Sequence, residues 1–302
     1  MSQGSHGRQQ DEPPSDVVDQ LAPAAQRLRI DDVSLQDLLD LEPHGVDTFL
    51  GIAPVYPMPR IFGGQVVAQG LRAAQLTVEP DFPVHSVHAY FIRAGSSSEP
   101  VRFEVERIRN GRSFRTRRVV ARQSGGAILN LSASFQRPEE APDVETVPVP
   151  ADIVRPDEGE PTSWASSLID RRVALIEPAR YVTWLRLGGH RSEDPALDAC
   201  GLAFLSDSMP TGAVRAAHPK KLSLAEARRV FSSASLDHVI YFQRPANPHG
   251  WLLSDARCHS LVGGRGVVVV DVHTEAGSHA LTIVQEVLIR ERANKPDPSS
   301  DR

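Results

Sequence analysis

Three polar side chains in the second half of this 302-residue chain stand where a plain core would want something else. Asp207 ends an apolar helical stretch, just before Pro210, which is expected to stop the helix. The C-terminal end of a helix carries partial negative charge, so a carboxylate there is disfavoured and should hold its proton more tightly. A base moved toward neutrality suits proton abstraction. The plain alternative is a turn residue within Ser206-Asp207-Ser208-Met209-Pro210. Ser235 precedes the strand-like run Leu236-Asp237-His238-Val239-Ile240-Tyr241-Phe242, a place where serine is commonplace. Gln285 is the odder residue. Alternation puts it in a row with Leu281, Ile283, Val287 and Ile289, and a buried amide in an aliphatic row must find partners.

Other chemistry-bearing residues are harder to assemble. A nucleophilic Ser235 with His238 as its base lacks a Gly-x-Ser-x-Gly elbow, and residues three apart on a regular strand point to opposite faces. His85 and His88 are also three apart in a predicted strand, so at most one of them faces any given pocket. Two cysteines, Cys200 and Cys258, make neither a disulfide framework nor a four-ligand zinc site. No cofactor is implied.

The elements that must position these residues occur twice. Tyr90-Phe91-Ile92-Arg93 returns as Tyr241-Phe242-Gln243-Arg244, and Asn110-Gly111-Arg112 has its counterpart in Gly263-Gly264-Arg265. A valine-rich strand, a second glycine turn and a closing strand follow each. The period is too long for a solenoid and reads as a duplicated domain, with an interface where a site can lie. In the first copy Gly63-Gly64 opens a helix over 65–78 with a narrow polar face of Gln65, Gln69 and Arg72, so it should be largely enclosed. Strands follow at 85–93, 101–108, 113–123 and 127–136, the last three joined by glycine turns as antiparallel hairpins. One enclosed helix and a long antiparallel meander describe a hotdog unit. The second copy offers strands at 172–187, 232–244, 251–261, 267–274 and 281–290, and a helix near 195–208. The expected fold is α+β: a double hotdog, two tandem domains each with an antiparallel sheet wrapped around a central helix. Residues 29–137 form the first domain and 164–291 the second. A proline-rich acidic linker occupies 138–163, with a disordered tail at 1–28 and a flexible one at 292–302.

Composition narrows the class further. Hydrophobic content of 40% and charged content of 24% suit a soluble globular protein. A net charge of −5 argues against nucleic acid as a partner, and the arginines between Arg102 and Arg122 read as a solvated sheet face. No apolar run is long enough for a membrane span, and the first nineteen residues do not form a signal peptide. The C-terminal Ser299-Ser300-Asp301-Arg302 is not a peroxisomal address, and Cys200 and Cys258 among apolar neighbours suit reduced thiols, so a cytoplasmic location is expected. Exposed sheet edges lead us to expect a homo-oligomer.

From about Leu35 to Arg290 the chain resembles acyl-CoA thioesterase II, a double-hotdog family with bacterial and peroxisomal members. The likeness rests on several blocks in order: Phe62-Gly63-Gly64-Gln65-Val66-Val67-Ala68-Gln69, Val84-His85-Ser86-Val87-His88-Ala89-Tyr90-Phe91, Leu205-Ser206-Asp207, Ser235-Leu236-Asp237-His238 through Pro245, Trp251-Leu252-Leu253 and Val284-Gln285-Glu286. The resemblance implies acyl-CoA as substrate, with Asp207 as base and Ser235 and Gln285 helping to hold the attacking water. Independently of the resemblance, a backbone amide at the helix N-terminus is the expected oxyanion donor, because Gly63-Gly64 permits close approach. Two other classes compete. Asn247-Pro248-His249 is a partial match to the Asp-x-Asn-Pro-x-His signature of hotdog enoyl-CoA hydratases, but Pro245 takes the aspartate position and the histidine spacing is one short. A non-catalytic acyl-CoA-binding protein is the other.

Overall fold

A computed structural model describes residues 28–58, 60–151, 153–162 and 168–292. The expected tails therefore fall outside the described residues, apart from their inner ends. The first half runs α1 (Leu35–Leu39), β1 (Glu42–Pro43), β2 (Thr48–Gly51), α2 (Gly63–Gln75), β3 (Val84–Phe91), β4 (Val101–Asn110), β5 (Phe114–Gln123) and β6 (Gly126–Gln136). The second half runs β7 (Glu160–Pro161), β8 (Ile169–Glu177), β9 (Arg180–Leu187), α3 (Pro195–Ser206), α4 (Pro210–Ala217), α5 (Leu224–Val230), β10 (Phe231–Ser235), β11 (Asp237–Phe242), β12 (Leu252–Val262), β13 (Arg265–Thr274) and β14 (His279–Glu291).

All pairings between these strands are antiparallel, and they build one continuous sheet in the order β1-β2-β4-β5-β6-β3-β11-β14-β13-β12-β9-β8-β7. The halves meet where β3 pairs with β11, with Val87 opposite Ile240. This is the double hotdog, with α2 held by the first half of the sheet and α3 and α4 by the second.

The polar face of α2 is enclosed too. Gln65 and Gln69 are both fully buried and donate to the Ile52 carbonyl, and Gln69 also reaches Leu38 O at 2.9 Å. These amides satisfy backbone groups of the preceding loop that would otherwise be stranded in the core. Alternation along β5 also departs from a purely solvated face. Arg118 and Arg122 pair with Glu106 and Glu104 outside, whereas Arg117 points inward and donates to the Thr77 carbonyl just beyond α2. The second-half strand expected at 172–187 is a hairpin, β8 and β9, turning at Ala179 with φ +62°. The proline-rich 138–151 segment lies along the second half, where Glu145 accepts from Ser278 Oγ and His279 N.

The two central helices lie antiparallel, the N-terminus of α2 against the C-terminus of α3. Glycine makes this approach possible: a Cβ on Gly64 would stand 2.3 Å from the Phe204 carbonyl oxygen and 2.5 Å from the Phe62 ring. Gly64→Ala should therefore destabilise the fold by about 1–3 kcal/mol, as overpacking does. A lowered urea midpoint at unchanged m-value is the expected result.

Candidate active site

Pro210 does not simply stop the helix. It takes the first position of α4, where its missing N–H costs nothing, and Asp207 caps α3 just upstream. This break turns the Asp207 carboxylate toward the first turn of α2, so close that a Cβ on Gly63 would lie 2.6 Å from Oδ2. From the other side Ser235 Oγ donates to Asp207 Oδ1 at 2.7 Å. Gln285 Nε2 donates in turn to Ser235 Oγ at 2.7 Å. The structure thus brings together three side chains widely separated in sequence.

Sequence reasoning set His238 aside, and the structure corrects it. β10 and β11 both pair with β14, but Ser235 lies opposite Val287 and Val239 opposite Val284. The β10–β11 side holds one extra residue over this interval, a bulge at Leu236–Asp237. Asp237 fills the gap in the ladder, its carboxylate accepting from Glu286 N at 2.6 Å. Beyond a bulge the alternation is reset, so Ser235 and His238 reach the same amide. Gln285 Oε1 meets His238 Nδ1, and His238 Nε2 meets Ser206 Oγ at 2.7 Å. Only the irregular pairing with β14 carries this signal.

Proton order along the chain follows from donor counting. Ser235 has one proton and gives it to Asp207, so Gln285 must present its NH₂ to Ser235 and its carbonyl to His238. His238 then carries its proton on Nδ1. It is fully buried, and burial pushes its pKa down against the pull of Asp207, which leaves Nε2 free to accept from Ser206. The Ser206 hydroxyl also lies 2.8 Å from Ala203 O, so it has a second acceptor whenever His238 takes up a proton.

Asp207 holds its proton more tightly than an ordinary carboxyl. Burial is the main cause, with His238, Ser235, Gln285 and the Gly64 backbone N–H pulling the other way. The sequence-based reason was the negative end of α3. Desolvation dominates instead, and the positive end of α2 opposes it.

Asp207 and Ser235 line a cavity of about 800 Å³ that also touches Gly63, Phe62, Phe91 and Arg215. Gln285, His238 and Ser206 lie behind this wall, each fully buried. The other histidine candidates lie elsewhere: His85 bonds to Ser134 Oγ, and the ring of His88 meets Tyr241 edge-on. His249 borders a separate pocket of only about 10 Å³. Cys200 is buried against Gln75, with its thiol pushed up to about 12. No cluster of three potential metal ligands occurs among the described residues.

Two family models cover this architecture: the acyl-CoA thioesterase N-terminal domain matches residues 53–136 and the C-terminal domain matches residues 131–289. The chain belongs to the acyl-CoA thioesterase family. It is a hydrolase of the thioesterase class. Among similar proteins, human acyl-coenzyme A thioesterase 8 is 31% identical over 85% of this chain and 89% of its own length. Acyl-CoA thioesterase 2 of Haemophilus influenzae is also 31% identical, over 85% of this chain and 97% of that protein. The crystal structure of an acyl-CoA thioesterase II from Mycobacterium marinum aligns with TM-score 0.76 at 32% identity. That alignment covers 87% of this chain and all of the solved one. No helix among the described residues of this thioesterase is long and apolar enough to cross a membrane.

Proposed function

We propose that the chain hydrolyses acyl-CoA thioesters to free fatty acid and coenzyme A by direct attack of water. Asp207 is the general base, and Ser235 and Gln285 position the water, Ser235 at the cavity and Gln285 through its hydrogen bond to Ser235. The observation that carries this reading is the hydrogen-bond chain Asp207–Ser235–Gln285, ending on the cavity beside the first turn of α2. Both roles of the Ser235 oxygen are engaged, donating to a carboxylate and accepting from an amide, which suits a group that orients water. Asp207 takes the proton as the water oxygen bonds to the thioester carbon. The carbon–sulfur bond then breaks, and the proton passes to the departing thiolate. General-base help of this kind contributes roughly 10²–10⁴ in rate. The first N–H groups of a helix have no intrahelical acceptor, and the Gly63 amide, beside Asp207, is our choice for the oxyanion donor.

The expected result with purified protein, a series of acyl-CoA chain lengths and a thiol-reactive dye is release of free thiol. An enoyl-CoA hydratase would change an enoyl-CoA without liberating thiol, and a binding protein would do neither. Because water attacks directly, no pre-steady-state burst and no acylated Ser235 should appear in rapid-quench mass spectrometry. A stoichiometric acyl-enzyme would replace this mechanism with a nucleophilic serine.

A further inference from the structure

The duplication leaves one matched pair of arginines in opposite states. Arg93 and Arg244 each end the repeated Tyr-Phe-x-Arg block, and their backbone bonds match: Arg93 N donates to Ile128 O and Arg244 N to Ala280 O. Arg244 is covered by an acidic stretch of the chain. Asp143 accepts from its Nε at 3.1 Å, and Glu145 lies 3.1 Å from Nη1. Glu145 also accepts from His279 N at 3.0 Å, so the segment takes a guanidinium and a backbone N–H together. Arg93 forms no ion pair among the described residues, and its side chain donates to the Gly125 carbonyl. It lines the active-site cavity with Arg60, Arg171, Arg215 and Arg228, where Asp207 is the one carboxylate among the described residues. Arg60 and Arg215 both donate to Ser233 and Arg171 to the Ser208 carbonyl, all neutral oxygens. Gathered cations repel one another, a cost that an acidic partner offsets.

We propose that the chain's own acidic segment, residues 11–19, docks on Arg93 at the cavity as residues 143–145 dock on Arg244, and so competes with substrate for entry. The inference rests on the acyl-CoA reading above, which makes this cavity the way in for an anionic substrate. Residues 1–27 lie outside the described part of the chain, which begins beside the cavity. Leu28 O accepts from Val55 N at 2.8 Å, and Pro57 already lines the cavity. Further on, Ile61 N donates to Gly95 O at 3.0 Å, tying this loop to the block that ends at Arg93. That route from Val55 to Arg93 covers at most about 30 Å, whereas the stretch between Asp16 and Leu28 extends to about 40 Å. The segment therefore reaches without any change in the fold. Charge fits as well: Asp11, Glu12, Asp16 and Asp19 lie in a run without Lys or Arg. Asp16-Val17-Val18-Asp19 behind Pro14 also resembles Asp143-Val144-Glu145 behind Pro142. Prolines restrict the free chain in both segments, so docking costs less ordering entropy.

The test compares the full wild-type chain with a full chain carrying Asp11→Asn, Glu12→Gln, Asp16→Asn and Asp19→Asn. Neutralising the segment should lower KM for acyl-CoA at least threefold at low salt and leave kcat unchanged. The gap should close as added salt screens the wild-type contact. In an Arg93→Gln background the same four substitutions should change KM no further, because the partner they act on is gone. A fluorescent peptide of residues 8–22 should bind the neutralised protein in anisotropy titrations, less tightly as salt rises. Arg93→Gln should weaken that binding at least tenfold, and Arg244→Gln should leave it where it was. Unchanged KM on neutralisation, no peptide binding, or equal loss in the two arginine variants would each overturn the proposal. So would a KM effect that survives in Arg93→Gln. Peptide binding needs no turnover, so a protein that binds the peptide through Arg93 yet releases no thiol would sink the hydrolytic reading and leave the docking site standing.

Discussion

Asp207→Asn should lower kcat by about 10²–10⁴, the range over which a positioned general base acts, while circular dichroism stays that of wild type. Asparagine keeps the shape and can still accept from Ser235 or Gly64, so the local frame survives and only the proton acceptor is lost. The raised pKa of Asp207 adds two signed expectations. The base must be ionised, so wild-type kcat/KM should fall on the acid side at a pH above the ordinary carboxylate range. For stability the sign reverses. A folded pKa above the unfolded one means the native state binds that proton more tightly, so stability falls as pH rises from the unfolded pKa through the folded one. At neutral pH the ionised carboxylate therefore costs stability, and Asp207→Asn should melt no lower than wild type, and higher, with the gain fading in acid. Near-normal turnover of this variant would remove Asp207 from the mechanism; a lower melting temperature at pH 7 would contradict the burial argument.

Gln285→Ala should be the second large loss, about 10²–10³ in kcat, the range seen when one preorganised donor is removed. Unlike the aspartate variant it should also cost stability. Gln285 is fully buried between Ser235 and His238, and truncation strands the Nδ1–H of His238 in the core, worth about 1–3 kcal/mol. Gln285→Glu separates the contributions. An ionised glutamate fills the same volume and still accepts from His238, but it has no proton to offer Ser235. If the donated hydrogen bond matters, the glutamate variant should be as slow as alanine at neutral pH, and its rate relative to wild type at the same pH should rise as pH falls and the carboxyl protonates. If it turns over normally at neutral pH, filled volume is all the site needs.

These two variants probe different layers of one chain of hydrogen bonds. Asp207 and Ser235 touch the cavity, whereas Gln285, His238 and Ser206 hold them from behind. His238 is a positioning residue in this scheme: its neutral imidazole fixes which end of the Gln285 amide faces Ser235. A flipped amide would present its oxygen to an oxygen whose only proton is already given to Asp207.

The fold was legible because its signals are local. Alternation in Val101–Glu106, the glycine turns between hairpins and the narrow polar face of α2 each depend on neighbours a few residues away. Gln285 stood out for the same reason, a lone amide in an aliphatic row. What the sequence could not supply are features set by partners far along the chain. The bulge at Leu236–Asp237 exists only because two short strands share β14 with a one-residue slip, and it alone turns His238 to the same amide as Ser235. The role of Pro210 is similar: proline ends one helix and begins another equally well, and the packing of α4 against β9, β12 and β13 decides for both. Residue types and periodicity told us which groups could act. Long-range strand register and helix packing decided which of them meet, because a hydrogen bond or a shared cavity depends on distance in space rather than along the chain.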